Sequence, residues 1–380
     1  MTTAEKILGW DTGQSIRIVP ELCLLNDDLA HAMPRLGQAG VTRELRPHTL
    51  IVLDHDIPAG SFDAAFRQKA LIDLSKQYDL PFIQAQGIGY TLLCQEYAQP
   101  GQVVLGWGDH IGAVGAVGAL GLQVDDQTMA AVLEQGAYTL EVPPLAGLRL
   151  TGSLPDGVSP ADAALALLPD LAELYRNRIL LLVDDAGLPM EAHMALCQLL
   201  HRFGALSALF VPPETAARFL DGTRLPLCDL SAAQAMAVEP GCLTHIRPLN
   251  GMEPVKVDAC FIGGCLGGHI GQLRRAAGIL RGKRIKRELR LLIGFASNED
   301  YLAAMKEGLI EVFFDCGAQV TNPGCASCRT TSIGVVGDGE TMASTGCYNY
   351  PGCCGTSASR VYLASAETVA RAALSGYLQA

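Results

Sequence analysis

Short apolar runs alternate with longer amphipathic stretches along the whole chain, and this alternation limits what it can fold into. Thr49-Leu-Ile-Val-Leu53, Gln102-Val-Val-Leu-Gly106, Arg178-Ile-Leu-Leu-Leu-Val183, Ala208-Leu-Phe-Val211, Ala259-Cys-Phe-Ile-Gly263 and Glu288-Leu-Arg-Leu-Leu-Ile293 are apolar at nearly every position. That is the pattern of a strand covered on both faces. Helical patterns lie between them at Phe62–Tyr78, Asp126–Gln135, Ser159–Tyr175, Pro189–Gly204, Ile270–Gly282, Ser297–Gly308 and Ser365–Leu378. Ser159 and Ser297 supply hydroxyl caps with acids in the first turn behind them. Strand–helix alternation predicts an α/β fold with mostly parallel sheets. A chain of 380 residues, at roughly 100–200 residues per domain, holds two or three units. Prolines at Pro143-Pro144 and across Pro248–Pro254 divide it into three α/β domains, 1–142, 143–250 and 251–380, around a central cleft where the strand ends should converge. Gly112–Gly121 reads as a small-residue helix start packed closely on a sheet.

Composition removes several classes of function. Apolar residues at 49% and charged residues at 18% exclude a disordered chain. No run of about 18 apolar residues is present, and the N-terminal Met1-Thr-Thr-Ala-Glu-Lys6 lacks a signal-peptide core. The expectation is a soluble, cytoplasmic protein without membrane contact. A net charge of −11, with basic residues scattered apart from Arg281–Arg287, gives no field for nucleic acid.

Thirteen cysteines are present, eight of them in the last third of the chain. In a cytosolic protein that clustering points to metal or thiol chemistry. Cys265 follows a strand in Gly263-Gly-Cys-Leu-Gly-Gly268, and Cys325-Ala-Ser-Cys328 follows Pro323-Gly324. Three thiolates on two loops suit an iron–sulfur cluster, because sulfur donors favour soft metals. Zinc and plain buried thiols stay open as alternatives, although structural zinc usually takes two close ligand pairs.

At these residues the chain resembles the large subunit of 3-isopropylmalate dehydratase, and so the aconitase superfamily, over nearly its whole length. The resemblance runs in order through Ala4–Leu8, Leu24-Leu-Asn-Asp27, Asp54-His55, Gly87-Ile88, Gly115–Leu120, Gly152–Gly157, Pro189-Met-Glu191, Phe261–Cys265, Pro323–Cys328 and Tyr362–Ser365. It implies three α/β domains around a [4Fe–4S] cluster held by Cys265, Cys325 and Cys328, with the fourth iron acting as Lewis acid on a small-molecule substrate. In the superfamily a swivelling domain, not expected after Ala380 here, can be a separate small subunit, so the resemblance leaves two expectations: a partner chain completes the site, or the chemistry is different.

The departures bear on the substrate. Family Gly-Asp-Ser-His becomes Trp107-Gly-Asp-His110, the histidine after Gly-Ile becomes Tyr90, and Cys-Asn-Met-x-x-Glu becomes Cys197-Gln-Leu-Leu-His-Arg202. Ser-Cys-Thr-Asn becomes Gly264-Cys-Leu-Gly267, and Asn-Arg-Asn-Phe-x-Gly-Arg, with its two carboxylate-gripping arginines, becomes Cys347-Tyr-Asn-Tyr-Pro-Gly-Cys353. Tyrosine and cysteine cannot replace a guanidinium fork. Asp54, His55, Asp109 and His110 are therefore the candidates for proton transfer, since an imidazole titrates near neutrality and an acid can fix its tautomer. Asn26, Tyr90, Gln198, Arg202, Tyr348 and Asn349 are the candidates for substrate binding. Cys347, Cys353 and Cys354 are candidates for a fourth cluster ligand or a reactive thiol. The leading reading is an aconitase-type iron–sulfur hydro-lyase or isomerase with an altered hydroxy-acid substrate. The alternative is a redox, sulfur-transfer or scaffold protein whose cluster is closed by a fourth cysteine.

Overall fold

The computed structural model describes residues 1–27, 40–329 and 332–380; the Asp109 side chain lies outside what it describes. Five parallel strands form the first sheet, namely β1 (Leu22–Asn26), β2 (Thr49–Leu53), β3 (Phe82–Gln84), β4 (Val103–Gly106) and β5 (Leu120–Gln123), in the order β3-β2-β1-β4-β5. The second sheet is also parallel, with β6 (Leu145–Thr151), β7 (Ile179–Asp184), β8 (Ser207–Phe210) and β9 (Leu227–Asp229) in the order β8-β7-β6-β9. All five residues of β2 and the first five of β7 are buried, as uninterrupted apolar runs require. Each Leu or Ile so buried contributes about 1.5–3 kcal/mol.

The third sheet has seven strands: β10 (Met236–Val238), β11 (Ile246–Pro248), β12 (Ala259–Ile262), β13 (Arg290–Ile293), β14 (Gln319–Val320), β15 (Thr341–Ser344) and β16 (Arg360–Ala364). Their order is β11-β10-β16-β15-β12-β13-β14, with only β10 antiparallel to its two neighbours. Its hydrogen bonding thus begins ahead of the Pro248–Pro254 connection. The α/β class with mostly parallel sheets is the observed one.

Helices follow the caps. Ser61, Ser159 and Ser297 each accept a backbone N–H of the first turn, and Ser159 forms a reciprocal box with Asp162. The helices that matter below are α1 (Phe62–Tyr78), α2 (Pro160–Leu167), α3 (Met190–Arg202), α4 (Ile270–Leu280) and α5 (Ala366–Ser375). The helix expected over Ser159–Tyr175 stops at Leu167 and resumes only as short turns, because Pro169 has no N–H to continue it. The stretch expected as a helix start at Gly112–Gly121 is instead a 3-10 run, Asp109–Val117, leading into β5. Its tight winding follows from contact. A Cβ on Gly115 would lie 1.8 Å from the Ala208 carbonyl oxygen, and one on Gly112 2.9 Å from that of Cys197, so this backbone lies directly on β8 and α3.

Candidate active site

The Cys325–Cys328 turn is brought to the end of β2 by close backbone contact. The Cys325 N–H donates to the Asp54 carbonyl at 2.8 Å, a lone parallel bridge pairs His55 with Cys325, and Gly324 has φ +139° with a Cβ position 3.0 Å from the Asp54 oxygen. Only glycine suits that approach. As a result the ligand atoms of His55, Cys325 and Cys328 lie within 4.8 Å of one another. His55 Nδ1 is 2.7 Å from Asp54 Oδ1 and 3.3 Å from Asp27 Oδ1, and Asp54 Oδ2 accepts the Gly89 N–H at 2.8 Å. Asp27 in turn accepts the backbone N–H groups of Asp54 and His55.

A second group forms across two other loops. Thr345 Oγ1 accepts from Gly263 N–H and donates to the Gly263 carbonyl, both at 2.8 Å. A Cβ on Gly267 would sit 2.1 Å from that same oxygen. The missing side chain of Gly267 thus leaves room for Thr345, and the two loops lock together. Cys265 and Cys347 Sγ end 2.7 Å apart as free thiols, within 4.8 Å of a His110 ring nitrogen. From α3, Gln198 Nε2 lies 2.7 Å from His110 Nδ1 and donates to Cys265 Sγ at 3.0 Å and, more weakly, to Cys347 Sγ at 3.7 Å. One helical turn on, the Arg202 guanidinium covers the Tyr348 ring at 4.9 Å.

Both groups belong to one apolar cluster that holds Leu24, Val52, Ile88, Tyr90, Ile111 and all four thiols. Their electrostatics differ. Burial alone would push His55 down, but the Cys325, Asp54 and Asp27 charges together raise it well above the usual histidine range. Burial raises Asp54 to about 6 against the pull of His55, whereas Asp27, also penalised by burial, is held below the usual carboxylate range by His55 and its backbone donors. Hydrogen bonding from Cys325 lowers Cys328 to about 6, with help from His55, and Cys325 itself is raised. Hydrogen bonding from Cys347, with His110, Gln198 and Arg202 behind it, lowers Cys265 to about 5 and leaves Cys347 raised. Each pair thus carries one negative charge near neutral pH.

The other expected residues divide. Asn26 donates to the Tyr90 hydroxyl at 3.5 Å, Tyr90 donates to the Trp107 carbonyl, and the Tyr90 and Tyr348 rings both lie 5.6 Å from His110. Asn349 points away, donating to the Glu239 and Cys242 carbonyls. Cys353 and Cys354 donate to the Tyr348 and Ser327 carbonyls and pack with Phe261, Met342 and Val361 in a different apolar cluster. Asp109 precedes His110 on the 3-10 run, its side chain outside the described residues.

Two residues at the site escaped sequence reasoning. Asp27 closes the quoted Leu-Leu-Asn-Asp segment, yet its link to His55 depends on strand order rather than spacing. Arg329 directly follows Cys328; burial pushes its guanidinium below the ordinary arginine range, against the opposing pull of Tyr348 and Asp27. A cleft of about 380 Å³, lined by Asp54, Asp56, Ile57, Asn322, Cys325 and Ser332, reaches this end of the site. A smaller cavity of about 40 Å³ lies behind the other pair, against Arg202, Leu266, Thr345 and Gly346.

The profile described as Aconitase family (aconitate hydratase) matches residues 23–241 and 232–376. The homoaconitase large subunit of Thermus thermophilus is 30% identical, with 99% of this chain and 96% of that protein covered. The 3-isopropylmalate dehydratase large subunit 1 of Methanopyrus kandleri is 28% identical over 99% and 97%. Among solved structures, the holo form of Thermococcus kodakaraensis aconitase X has a similar fold, with TM-score 0.56 and 13% identity over 87% of this chain and 83% of that one.

Proposed function

Because the chain belongs to the aconitase family and is an aconitase-type hydro-lyase, we propose that it dehydrates and hydrates a small hydroxy acid at an iron–sulfur centre held by Cys265, Cys325 and Cys328. The observation that carries this reading is the meeting of thiols from distant loops in one buried apolar cluster, each thiol pair with a depressed first proton. That donor set fits the group: soft sulfur ligands in a dry setting, with His55 and His110 as the nearest basic neighbours. A cluster bound there would supply Lewis acidity toward the substrate's hydroxyl and carboxylate.

The chain's own residues supply the rest. His55, braced by Asp54 and Asp27, holds a proton on its ring at neutral pH and serves as the acid for a departing hydroxyl, with Nε2 the ring nitrogen not committed to Asp54. Gln198 Nε2, 2.7 Å from His110 Nδ1, orients this ring beside Cys265, where His110 is placed to hold a substrate oxygen. Asp109 is the candidate to replace the displaced acid of the family motif. Arg202, and with it Arg329, takes the carboxylate-binding role of the absent arginine pair, approaching from α3 and from the turn after Cys328. Asn26, Tyr90 and Tyr348 shape the pocket, and Asn349 tethers its outer loop. Both arginines lie in new positions, so the substrate is a hydroxy acid with fewer or differently placed carboxylates than those of the family. The relatives are named as large subunits, and a small subunit completing the site is part of this proposal.

The test is anaerobic reconstitution with iron and sulfide, followed by a screen of hydroxy acids for the ultraviolet absorption of an unsaturated product. Cluster absorption together with turnover is the expected result. Absence of any cluster removes the proposal, and copurification of a small subunit decides the partner.

A further inference from the structure

Cys347 is not one of the three proposed ligands, and the hydro-lyase chemistry makes no use of it. Its place is nonetheless fixed by the sheet. β12 and β15 are adjacent parallel strands, with Phe261 paired to Ser344, and Cys265 and Cys347 lie in the loops that leave their carboxyl ends. Thr345, two residues before Cys347, bonds both backbone groups of Gly263, two residues before Cys265, and the Thr345 N–H donates to the Phe261 carbonyl at 3.0 Å. The two loops therefore leave the sheet in step, and the sulfurs end 2.7 Å apart. A disulfide holds its sulfurs about 2.0 Å apart, so each needs to move by only a few tenths of an ångström to bond.

The neighbouring cysteines are engaged elsewhere. Cys353 and Cys354 donate to backbone carbonyls in another apolar cluster, and Cys325 and Cys328 gather at His55. The cavity of about 40 Å³ behind the pair is bounded by Leu266 and Gly346, the chain neighbours of the two cysteines. A water-sized molecule takes up about 10–15 Å³ of such space, so a molecule as small as hydrogen peroxide has room beside these sulfurs. Hydroperoxides carry a cysteine to sulfenic acid and then, if nothing intervenes, to sulfinic acid, which is not recovered by thiol reductants. A second thiol in contact intervenes by forming a disulfide.

We propose that Cys347 is a resolving thiol for Cys265: in the cluster-free chain hydrogen peroxide oxidises Cys265, and Cys347 closes on it in a disulfide that withholds this ligand from metal and preserves it for reuse. In the first step the peroxide O–O bond breaks; one oxygen joins Cys265 as sulfenic acid, and the other leaves as water with the thiol proton. In the second the Cys347 sulfur displaces the sulfenic hydroxyl, which leaves with the Cys347 proton as a second water. Two thiols and one hydrogen peroxide thus give one disulfide and two waters, and a dithiol reductant restores both thiols. The bond needs only the two cysteines, whereas its bearing on cofactor loading rests on the iron–sulfur reading.

The experiment exposes the full cluster-free chain, as wild type, Cys347→Ser and Cys353→Ser, to excess hydrogen peroxide, which catalase then removes. One half of each sample is alkylated and digested with trypsin for mass spectrometry. The other half is reduced with dithiothreitol and reconstituted anaerobically with iron and sulfide, and its iron content is compared with that of the same chain never exposed to peroxide. In the wild type and in Cys353→Ser, the peptide of residues 257–274 should be joined to that of residues 330–360 through Cys265 and Cys347, with iron uptake recovered after reduction. Cys347→Ser should carry Cys265 as sulfinic acid and recover roughly tenfold less iron. Absence of the bond in the wild type overturns the proposal, as does a bond through Cys260, Cys353 or Cys354 in its place, or equal recovery by wild type and Cys347→Ser. Should Cys347→Ser fail to fold, the mapped bond in the wild type decides alone. An untreated wild type that takes up no cluster overturns the iron–sulfur reading and the protection of cofactor loading together, whereas normal uptake without the mapped disulfide removes only the resolving role of Cys347.

Discussion

The two thiol pairs reach the same apolar cluster by different means. Cys325 and Cys328 come from a single turn and face a charged shell of His55, Asp54 and Asp27. Cys265 and Cys347 come from separate loops of the third sheet and face a neutral amide, with Arg202 further off. On the proposed reading, the first side would hold and move a proton and the second would hold sulfur in place, the two roles being segregated across one apolar cluster.

Removal of a shared donor is the harshest test of this division. Cys328→Ala should reduce iron and sulfide bound after reconstitution to background, as should Cys265→Ala, whichever side the thiol comes from. The sides part in catalysis. Asp54→Asn, which leaves every cysteine in place, should lower kcat by about 10²–10⁴ with iron content retained. Gln198→Leu removes the amide's contacts with His110, Cys265 and Cys347 and should cost about 1–3 kcal/mol of stability, with a much smaller fall in kcat. Similar kcat losses in the two variants would erase the distinction.

Gly267→Ala should lower the unfolding free energy by about 1–3 kcal/mol in a urea titration, since its methyl group meets Thr345. The smallest effect is in pH. Thiols bind soft metals only when deprotonated, so affinity of the apoprotein for cadmium should fall with acidification in two steps, near 6 for the Cys325–Cys328 side and near 5 for the Cys265–Cys347 side. The sign follows from both thiols being depressed: binding is full above these values and is lost below them. His55→Gln should move the first step upward and leave the second.

The uneven origin of the two pairs also explains what could be read from sequence. Cys325 and Cys328 carry their relation in their spacing, and the apolar runs of β2 and β7 mark themselves as buried strands. The Phe62–Tyr78 helix was legible to the residue, because Ser61 caps it and nothing interrupts it. Spacing says nothing of Cys265 beside Cys347. Their contact depends on Gly267 yielding space to Thr345, a relation between loops flanking different strands. Asp27 was hidden for the same reason, since only the adjacency of β1 and β2 brings it under His55. The 3-10 run after Asp109 misled because its glycines serve contact with β8 rather than helix propagation.

The bridge between His55 and Cys325 joins the carboxyl end of β2, an inner strand of the first sheet, to a turn following the third sheet's β14. During synthesis the histidine leaves the ribosome long before that turn exists. The proton-handling half of the pocket is therefore built early and waits, without its sulfur partners, until the last third of the chain arrives. The proposed cluster would thus be inserted only into a nearly complete polypeptide, and a truncated product ending before Cys325 would carry His55 and its carboxylates but only one of the three proposed ligands.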